Sequence, residues 1–251
     1  MTNAARLVTD ARVLSGLNQR QAAVIAGVAP STISRIERGQ LDPTVSTLDR
    51  ILAACGWRSS ERLVPNVDMD AVRAARRILE PELPIVPNIR SASYAQRWEA
   101  SGFIDTDTPV EKATGICVLA AQQARLSRRP GASNFGWRNL ADVVRSLDQA
   151  GEAWALTGAF AASAYTKIAN SVWPTFYVGN VARSAIAAGL RPAENGPYLT
   201  LIPFDNVTSV GLQALDNGVR LADFWQIAID CFAGNGRMPD QAEAMIAKAF
   251  R

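Results

Sequence analysis

Pro30, Ser31, Ser34 and Arg35 fall within one short stretch, PSTISRIERG. They offer three kinds of contact. The Arg35 guanidinium can fork onto two acceptors at once, as on the N7 and O6 edge of guanine. Ser31 and Ser34 can donate or accept a hydrogen bond. Pro30 offers only an apolar ring, suited to a methyl group such as that of thymine. This is chemistry for reading a surface rather than for making bonds. The chain has no histidine, which removes the commonest general base and the commonest metal ligand and excludes Ser-His-Asp and Cys-His catalysis. Cys55, Cys117 and Cys231 are odd in number and far apart. They lack metal-site spacing and read as buried thiols of a reducing, cytoplasmic compartment. No metal and no cofactor are expected.

A reader this small must be held by its neighbours. Residues 4–16 read as a first helix, with Ala5, Leu7, Val8, Ala11, Val13 and Leu14 as its apolar surface and Gly16 as its stop. Asn18 is placed as an N-cap with Gln21 as its capping-box partner. A second helix then covers 19–26, with Ala22, Ala23, Ile25 and Ala26 as a small inner face. Gly27 suits the sharp turn after it. Pro30 fits the first position of a third helix, where its missing N–H costs nothing. Ile33 and Ile36 face inward from that helix, leaving Ser31, Ser34, Arg35 and Arg38 on its other faces. Gly39 stops it. A fourth helix comes next at about 45–55, with Val45, Leu48, Ile51, Leu52 and Cys55 as its stripe.

In this register LNQRQAAVIAGVAPSTISRIERGQLDPTVSTLDRILAACG resembles the helix-turn-helix of the lambda-repressor-like, or XRE, family, over about residues 6–57. The matching elements are Leu17, Gln19, the turn from Ala23 through Gly27 to Val28, Ile33-Ser34, and Ile36-Glu37-Arg38-Gly39. The resemblance implies that the third helix enters a DNA major groove and presents Pro30, Ser31, Ser34 and Arg35 to base edges. Gln19 and Arg20 from the second helix, with Thr32, Arg38 and Gln40, would hold the phosphate backbone and set register. Glu37 would be structural. One such domain makes few contacts, so the resemblance also implies a homodimer on a palindromic operator. Its half-sites would lie roughly 34 Å apart, or a multiple of that. On the residues alone, a four-helix module that binds protein and a merely solvated Arg35 remain open.

The charge distribution agrees with a polyanionic partner. Residues 1–64 hold eight Arg against five Asp plus Glu, whereas the remainder holds 18 basic and 18 acidic groups, so the net charge of +3 sits in the first quarter. The chain has 251 residues, 48% of them hydrophobic, enough for two domains with substantial cores. It has no apolar run of about 18 residues, and its N-terminus lacks the apolar block of a secretory signal.

Beyond residue 57 the stretch RSSERLVPNVDMD (58–70) is polar, broken by Pro65, and reads as a boundary. Residues 70–80 read as a short amphipathic helix whose Arg73, Arg76 and Arg77 form either a basic flank over DNA or a solvated face. Pro81, Pro84 and Pro87 then interrupt any long element. Helices are expected at 91–102, 109–125 and 138–150, with 128–136 as a loop exposing Arg128 and Arg129. From 153 the texture becomes α/β. A strand (153–156), the Thr157-Gly158 turn and an Ala-rich helix lead to a strand at 174–180, a helix at 181–189 and a strand at 200–205. The Asn217-Gly218 turn and helices at 223–233 and 239–250 complete a domain with a mixed sheet.

Here ALTGAFAA (155–162), PTFYV (174–178), LIPFD (201–205) and LADFWQIAIDCFAGNGRMPDQAEAM (221–245) resemble the C-terminal domain of the AbiEi-like antitoxins of type IV toxin–antitoxin systems, over roughly 110–250. In that family the domain accompanies an N-terminal DNA-binding module, usually a winged helix rather than an XRE module. The pair represses its own operon, and the partner toxin is nucleotidyltransferase-like. A nucleotidyltransferase itself also opens on a strand, a Gly turn and a helix, but it needs paired carboxylates for metal. Between Ala153 and Ala193 there is no Asp or Glu, and Asp205, Asp216, Asp223 and Asp230 have no evident pairing. No enzymatic activity is therefore expected. Lys167, Arg183, Arg191 and Arg237 read as scattered basic residues.

The expected whole is an all-α helix-turn-helix domain of four to five helices (1–64), a helical, proline-rich connector (65–108), and a larger α/β or α+β domain with a mixed sheet (109–251). The expected function is sequence-specific binding of double-stranded DNA by an autoregulating repressor or antitoxin of a toxin–antitoxin or phage-defence operon. The expected partners are a second copy of the chain and a cognate nucleotidyltransferase-like toxin, with no membrane. A ligand-responsive repressor and a DNA-anchored nucleotidyltransferase are the alternatives.

Overall fold

The computed structural model describes residues 3–59, 63–102, 105–168, 173–193 and 198–251. They gather into two compact units, one of residues 1–75 and 87–125, the other of residues 76–86 and 126–251. The expected cuts at 64/65 and 108/109 do not coincide with this division, because segments from the expected connector and the helix after it pack on the first four helices.

In the first unit those four are α1 (Asn3–Leu14), α2 (Gln19–Ala26), α3 (Pro30–Glu37) and α4 (Val45–Ala54). The punctuation acts as its chemistry dictates. Asn18 Oδ1 accepts from Gln21 N at 2.8 Å and Gln21 Oε1 accepts from Asn18 N at 2.9 Å, closing the capping box. Gly27 caps α2 at φ 66°, ψ 40°, a left-handed conformation that a side chain would strain. Ala5, Val8, Ala23, Ile33, Ile36, Ile51 and Leu52 form the core. Val13, Leu14 and Val45, expected in the apolar stripes, are exposed. They sit in the terminal turns of α1 and α4.

The expected polar boundary contains a hairpin instead, β1 (Trp57–Ser59) with β2 (Leu63–Pro65); residues 60–62 of that boundary lie outside the described residues. The hairpin comes after Gly56, where φ is +78° and an added Cβ would lie 2.6 Å from the Gln122 carbonyl oxygen. Only glycine allows this close approach. The approach brings in α7 (Pro109–Gln123), whose Gln122 amide donates to Ser15 O at 2.6 Å and whose Gln123 amide donates to Ala53 O at 3.2 Å. Helix α6 (Ile89–Ser101) packs on α2 with Tyr94 and Trp98 buried. Its Arg90 and Tyr94 hold the buried Asp68 carboxylate, next to the start of α5 (Met69–Leu79).

Among the described residues the second unit is built on a seven-stranded mixed sheet. Its strands are β3 (Ser133–Gly136), β4 (Trp154–Thr157), β5 (Thr175–Val178), β6 (Arg191–Pro192), β7 (Tyr198–Pro203), β8 (Gln213–Ala214) and β9 (Arg220–Leu221), in the order β6-β3-β7-β5-β4-β9-β8. β5 runs parallel to β7 and β4 parallel to β9, while the other neighbours are antiparallel. The central β4 and β5 are buried along their whole length, as strands covered on both faces must be. Helices α9 (Gly158–Ala162), α11 (Phe224–Phe232) and α12 (Met238–Ala249) pack together, and α8 (Leu140–Gln149) packs with α10 (Val181–Ala187). The segment 128–136, expected as loop, supplies β3. It carries few apolar residues, so its strand character comes from pairing with β6 and β7 rather than from its own pattern.

The apolar motifs of this unit surround a polar centre. Asp230 is fully buried and accepts from Thr157 Oγ1, from Tyr177 OH at 2.8 Å, from Gln226 Nε2 at 2.9 Å and from the Arg129 guanidinium. Gln226 Oε1 accepts in turn from Arg76 Nη1 at 3.4 Å, and Arg76 bonds Glu80 at 3.0 Å and Asp223 at 3.1 Å. Two expectations are corrected here. Arg76 belongs neither to a basic flank nor to a solvated face, since it is fully buried between two carboxylates. Arg73 pairs with Asp70, and Arg77 donates to Ile85 O. Arg129 is buried, not exposed, because Asp230 supplies its counter-charge. Asp223 and Asp230, expected to lack the paired carboxylates that a metal site needs, are held instead by Arg76 and Arg129, about 100 to 150 residues away in the chain, partners that local spacing cannot show. The three cysteines are buried and form no disulfide, and burial raises the Cys55 thiol to about 12.

Burial, reinforced by Asp223, raises the Glu80 carboxyl from 4.5 to about 7 against the opposing pull of Arg76. A raised folded value means that the folded chain keeps a proton the unfolded chain releases, so this group's contribution weakens as pH rises through that window. Relative to the parent chain, Glu80→Gln is therefore expected to gain stability between about pH 5 and pH 8. Denaturant unfolding of both proteins across that range checks this, and a stability difference independent of pH would contradict it.

Candidate nucleic-acid interface

The helix that carries the candidate contacts is eight residues long. Its inner side is spent on the core: Ile33 and Ile36 are fully buried, and Glu37 is 9% exposed. Pro30, Ser31 and Arg35 are exposed, and Thr32 and Ser34 are half-buried. Pro30 occupies the first turn and Ala29 is a bare N-cap without a side-chain bond, so the backbone N–H groups of the first turn carry no side-chain cap. Such a helix end attracts anionic oxygen.

A single carboxylate holds this helix in place. Glu37, the last residue of α3, accepts from Arg12 Nε at 2.6 Å and Arg12 Nη2 at 3.1 Å, a two-pronged ion pair, and from Gln19 Nε2 at 2.7 Å. Arg12 also donates to Leu17 O at 3.1 Å. Arg12 belongs to α1 and Gln19 to α2, so the three helices meet at one charged, largely buried knot. Charge-assisted, two-pronged bonds of this kind fix geometry as well as energy. Glu37 is structural, as the family resemblance implied.

The expected contact residues divide accordingly. Arg20 and Gln40 are exposed, with no side-chain bond among the described residues. Gln19 commits one amide N–H to Glu37, which positions its side chain at the start of α2. Arg38, placed with the phosphate contacts, donates to the hydroxyl of Ser34 at 2.6 Å and to the Ser34 carbonyl at 3.2 Å. It is thereby tied to a residue placed with the base contacts. Arg35 has no acceptor among the described residues and stands one turn beyond Ser31. The sequence pattern did not single out Arg12. The signal was nonetheless present, since Arg12 continues the buried Ala5 and Val8 stripe of α1, a charged residue where an apolar one is expected.

The helix-turn-helix family model matches residues 9–63. The HTH-type transcriptional regulators PuuR of Escherichia coli (strain K12) and of Shigella flexneri are each 39% identical over 54 residues, 22% of this chain and 29% of either relative. The chain thus spans under a third of the length of these curated relatives. No solved structure matches it. The first unit carries a helix-turn-helix domain of the XRE type, and the region matched includes every residue of the Arg12–Gln19–Glu37 knot.

Replacing Glu37 with Ala strands the Arg12 guanidinium and the Gln19 amide in a largely buried setting. The expected loss is about 3 kcal/mol of stability. Arg35→Ala, at an exposed site, is expected to change stability by no more than about 0.5 kcal/mol. Denaturant titration of the two variants measures the contrast; equal losses would contradict the division between holding and reading residues.

Proposed function

We propose that this chain is a sequence-specific double-stranded DNA-binding transcriptional regulator whose reading element is α3. The observation that carries the reading is the division of α3 into a buried, knotted side and an outer side bearing Pro30, Ser31, Ser34 and Arg35, within a segment that matches the helix-turn-helix family. Arg35 forks onto a base edge, Ser31 and Ser34 supply shorter polar contacts, and Pro30 packs on a methyl group. Gln19, Arg20, Thr32, Arg38 and Gln40 hold the backbone. The positive balance of the first quarter of the chain supports the same partner. So short a reader acts in pairs, and the chain works as a homodimer on a palindromic site.

The more specific reading is an autoregulating repressor that serves as the antitoxin of a toxin–antitoxin or phage-defence operon. The motifs that support it contribute the buried centre of the second unit: Thr157, Tyr177, Asp223, Gln226 and Asp230 all lie within them. That centre is saturated with internal hydrogen bonds, which favours a scaffolding role over catalysis. Among the described residues no group of His, Cys, Asp and Glu could hold a metal ion, and no helix is long and apolar enough to cross a membrane.

Genomic fragments recovered with the protein bound provide the test. On such a fragment Arg35→Ala is expected to cost about 1–3 kcal/mol and to relax preference at one base pair. Arg20→Ala is expected to weaken all sequences alike and to flatten the salt dependence. Unchanged affinity after Arg35→Ala would remove it from the reading surface. Co-purification with a nucleotidyltransferase-like product of a neighbouring gene would support the antitoxin role, and a transport or metabolic gene as the regulated neighbour would oppose it.

A further inference from the structure

The second unit contains a cavity of about 550 Å³. This is well within the range of sites that hold small organic molecules, and nothing in the DNA reading uses it. Three elements build it. One wall is the face of α8 on which Asp142, Val143 and Ser146 follow the helical repeat from Asn139. A second is the end of α10 and the turn after it, Ala188 to Leu190. The rim is the β3–β6 ladder, in which Gly136 faces Arg191. Arg138, two residues after Gly136, and Arg191 both line the cavity at this rim.

The lining has a definite chemical character. Arg138 and Arg191 are exposed and have no acceptor among the described residues. The acidic group on the wall, Asp142, is already paired with Arg145 at 3.0 Å, which leaves the positive charge of the rim uncompensated. Trp137 also lines the cavity, with its ring set edge to face against Phe160 at 6.4 Å between centroids. Its indole N–H is sealed from solvent without a hydrogen-bond partner among the described residues. An unmade bond of this kind is costly in a native protein, and a ligand oxygen admitted by a small turn of the ring would satisfy it. Val143 makes the floor apolar. Two guanidiniums, one aromatic face and an apolar floor select for an anion joined to a flat group.

We infer that this cavity binds a small organic anion in which a phosphate or carboxylate is attached to a planar ring. The anionic group lies between Arg138 and Arg191, and the ring lies against Trp137. The site is independent of the α3 surface, so the two readings can fail separately.

Calorimetric titration of the full chain with adenosine 5′-monophosphate, anthranilate and inorganic phosphate tests the inference and separates the two sources of anion. Saturable binding of the nucleotide or of anthranilate is expected, with inorganic phosphate at least about tenfold weaker. Arg138→Ala and Arg191→Ala are each expected to weaken the planar ligand by about tenfold or more. Both arginines are exposed, so the variants should keep the parent's melting temperature and its DNA affinity in the absence of ligand. Trp137→Phe should retain the fold but lose the ligand-induced change in tryptophan fluorescence. The inference is overturned if neither planar anion binds, if binding survives both arginine substitutions, or if inorganic phosphate binds as tightly as the planar ligands.

Discussion

The first unit turns on the Glu37 carboxylate. A helix of eight residues cannot hold its own orientation, because helices of that length are unstable alone. Two isoleucines bury one side of α3, but apolar packing is non-directional and leaves its rotation loosely defined. The bonds from Arg12 and Gln19 to Glu37 supply the direction. They connect α3 to both preceding helices through one group, and they do so at the end of α3 away from its first turn. The outer side is thereby left clear for Ser31 and Arg35. A charge buried in this way adds little net stability compared with a well-packed apolar core; its return is geometric definition, which a reading surface requires.

The second unit uses the same device on a larger scale. Arg76 and Arg129 are both buried, and each is held by carboxylates from distant parts of the chain. Burial alone would pull the Arg129 guanidinium down, yet Asp230 and Tyr177 hold it above its ordinary value. Such a centre is expensive to assemble and fails if one member is lost, so it commits the sheet, α9 and α11 to a single arrangement. The open cavity lies elsewhere, on α8, α10 and the edge of the sheet, and its arginines lack the internal acceptors that saturate Arg76 and Arg129.

Legibility in the sequence followed locality. Asn18, Gln21, Gly27, Pro30 and Gly39 act within a few residues of themselves, so the capped helices of the first unit could be read directly, as could the inward-facing Ile33 and Ile36. The mixed sheet and its main strands were also legible, from apolar runs bounded by turn residues. The features that escaped depended on distant partners. Arg76 looked like one basic residue among three because Asp223 is far away in the chain. Arg129 looked like loop for the same reason, and β3 exists only because β6 and β7 pair with it. The hairpin at Trp57 was hidden by its polar composition. At the candidate interface the proposed contact residues rest on type and spacing, whereas the bond between Arg38 and Ser34 and the role of Arg12 emerged only from the fold.

The central claim is that α3, held by Glu37, reads base sequence. Selection of binding duplexes from a random-sequence pool tests it most directly. The account predicts enrichment of one motif made of two inverted half-sites, centred roughly one helical turn or a multiple of it apart. A pool that retains no sequence preference after successive rounds would contradict it.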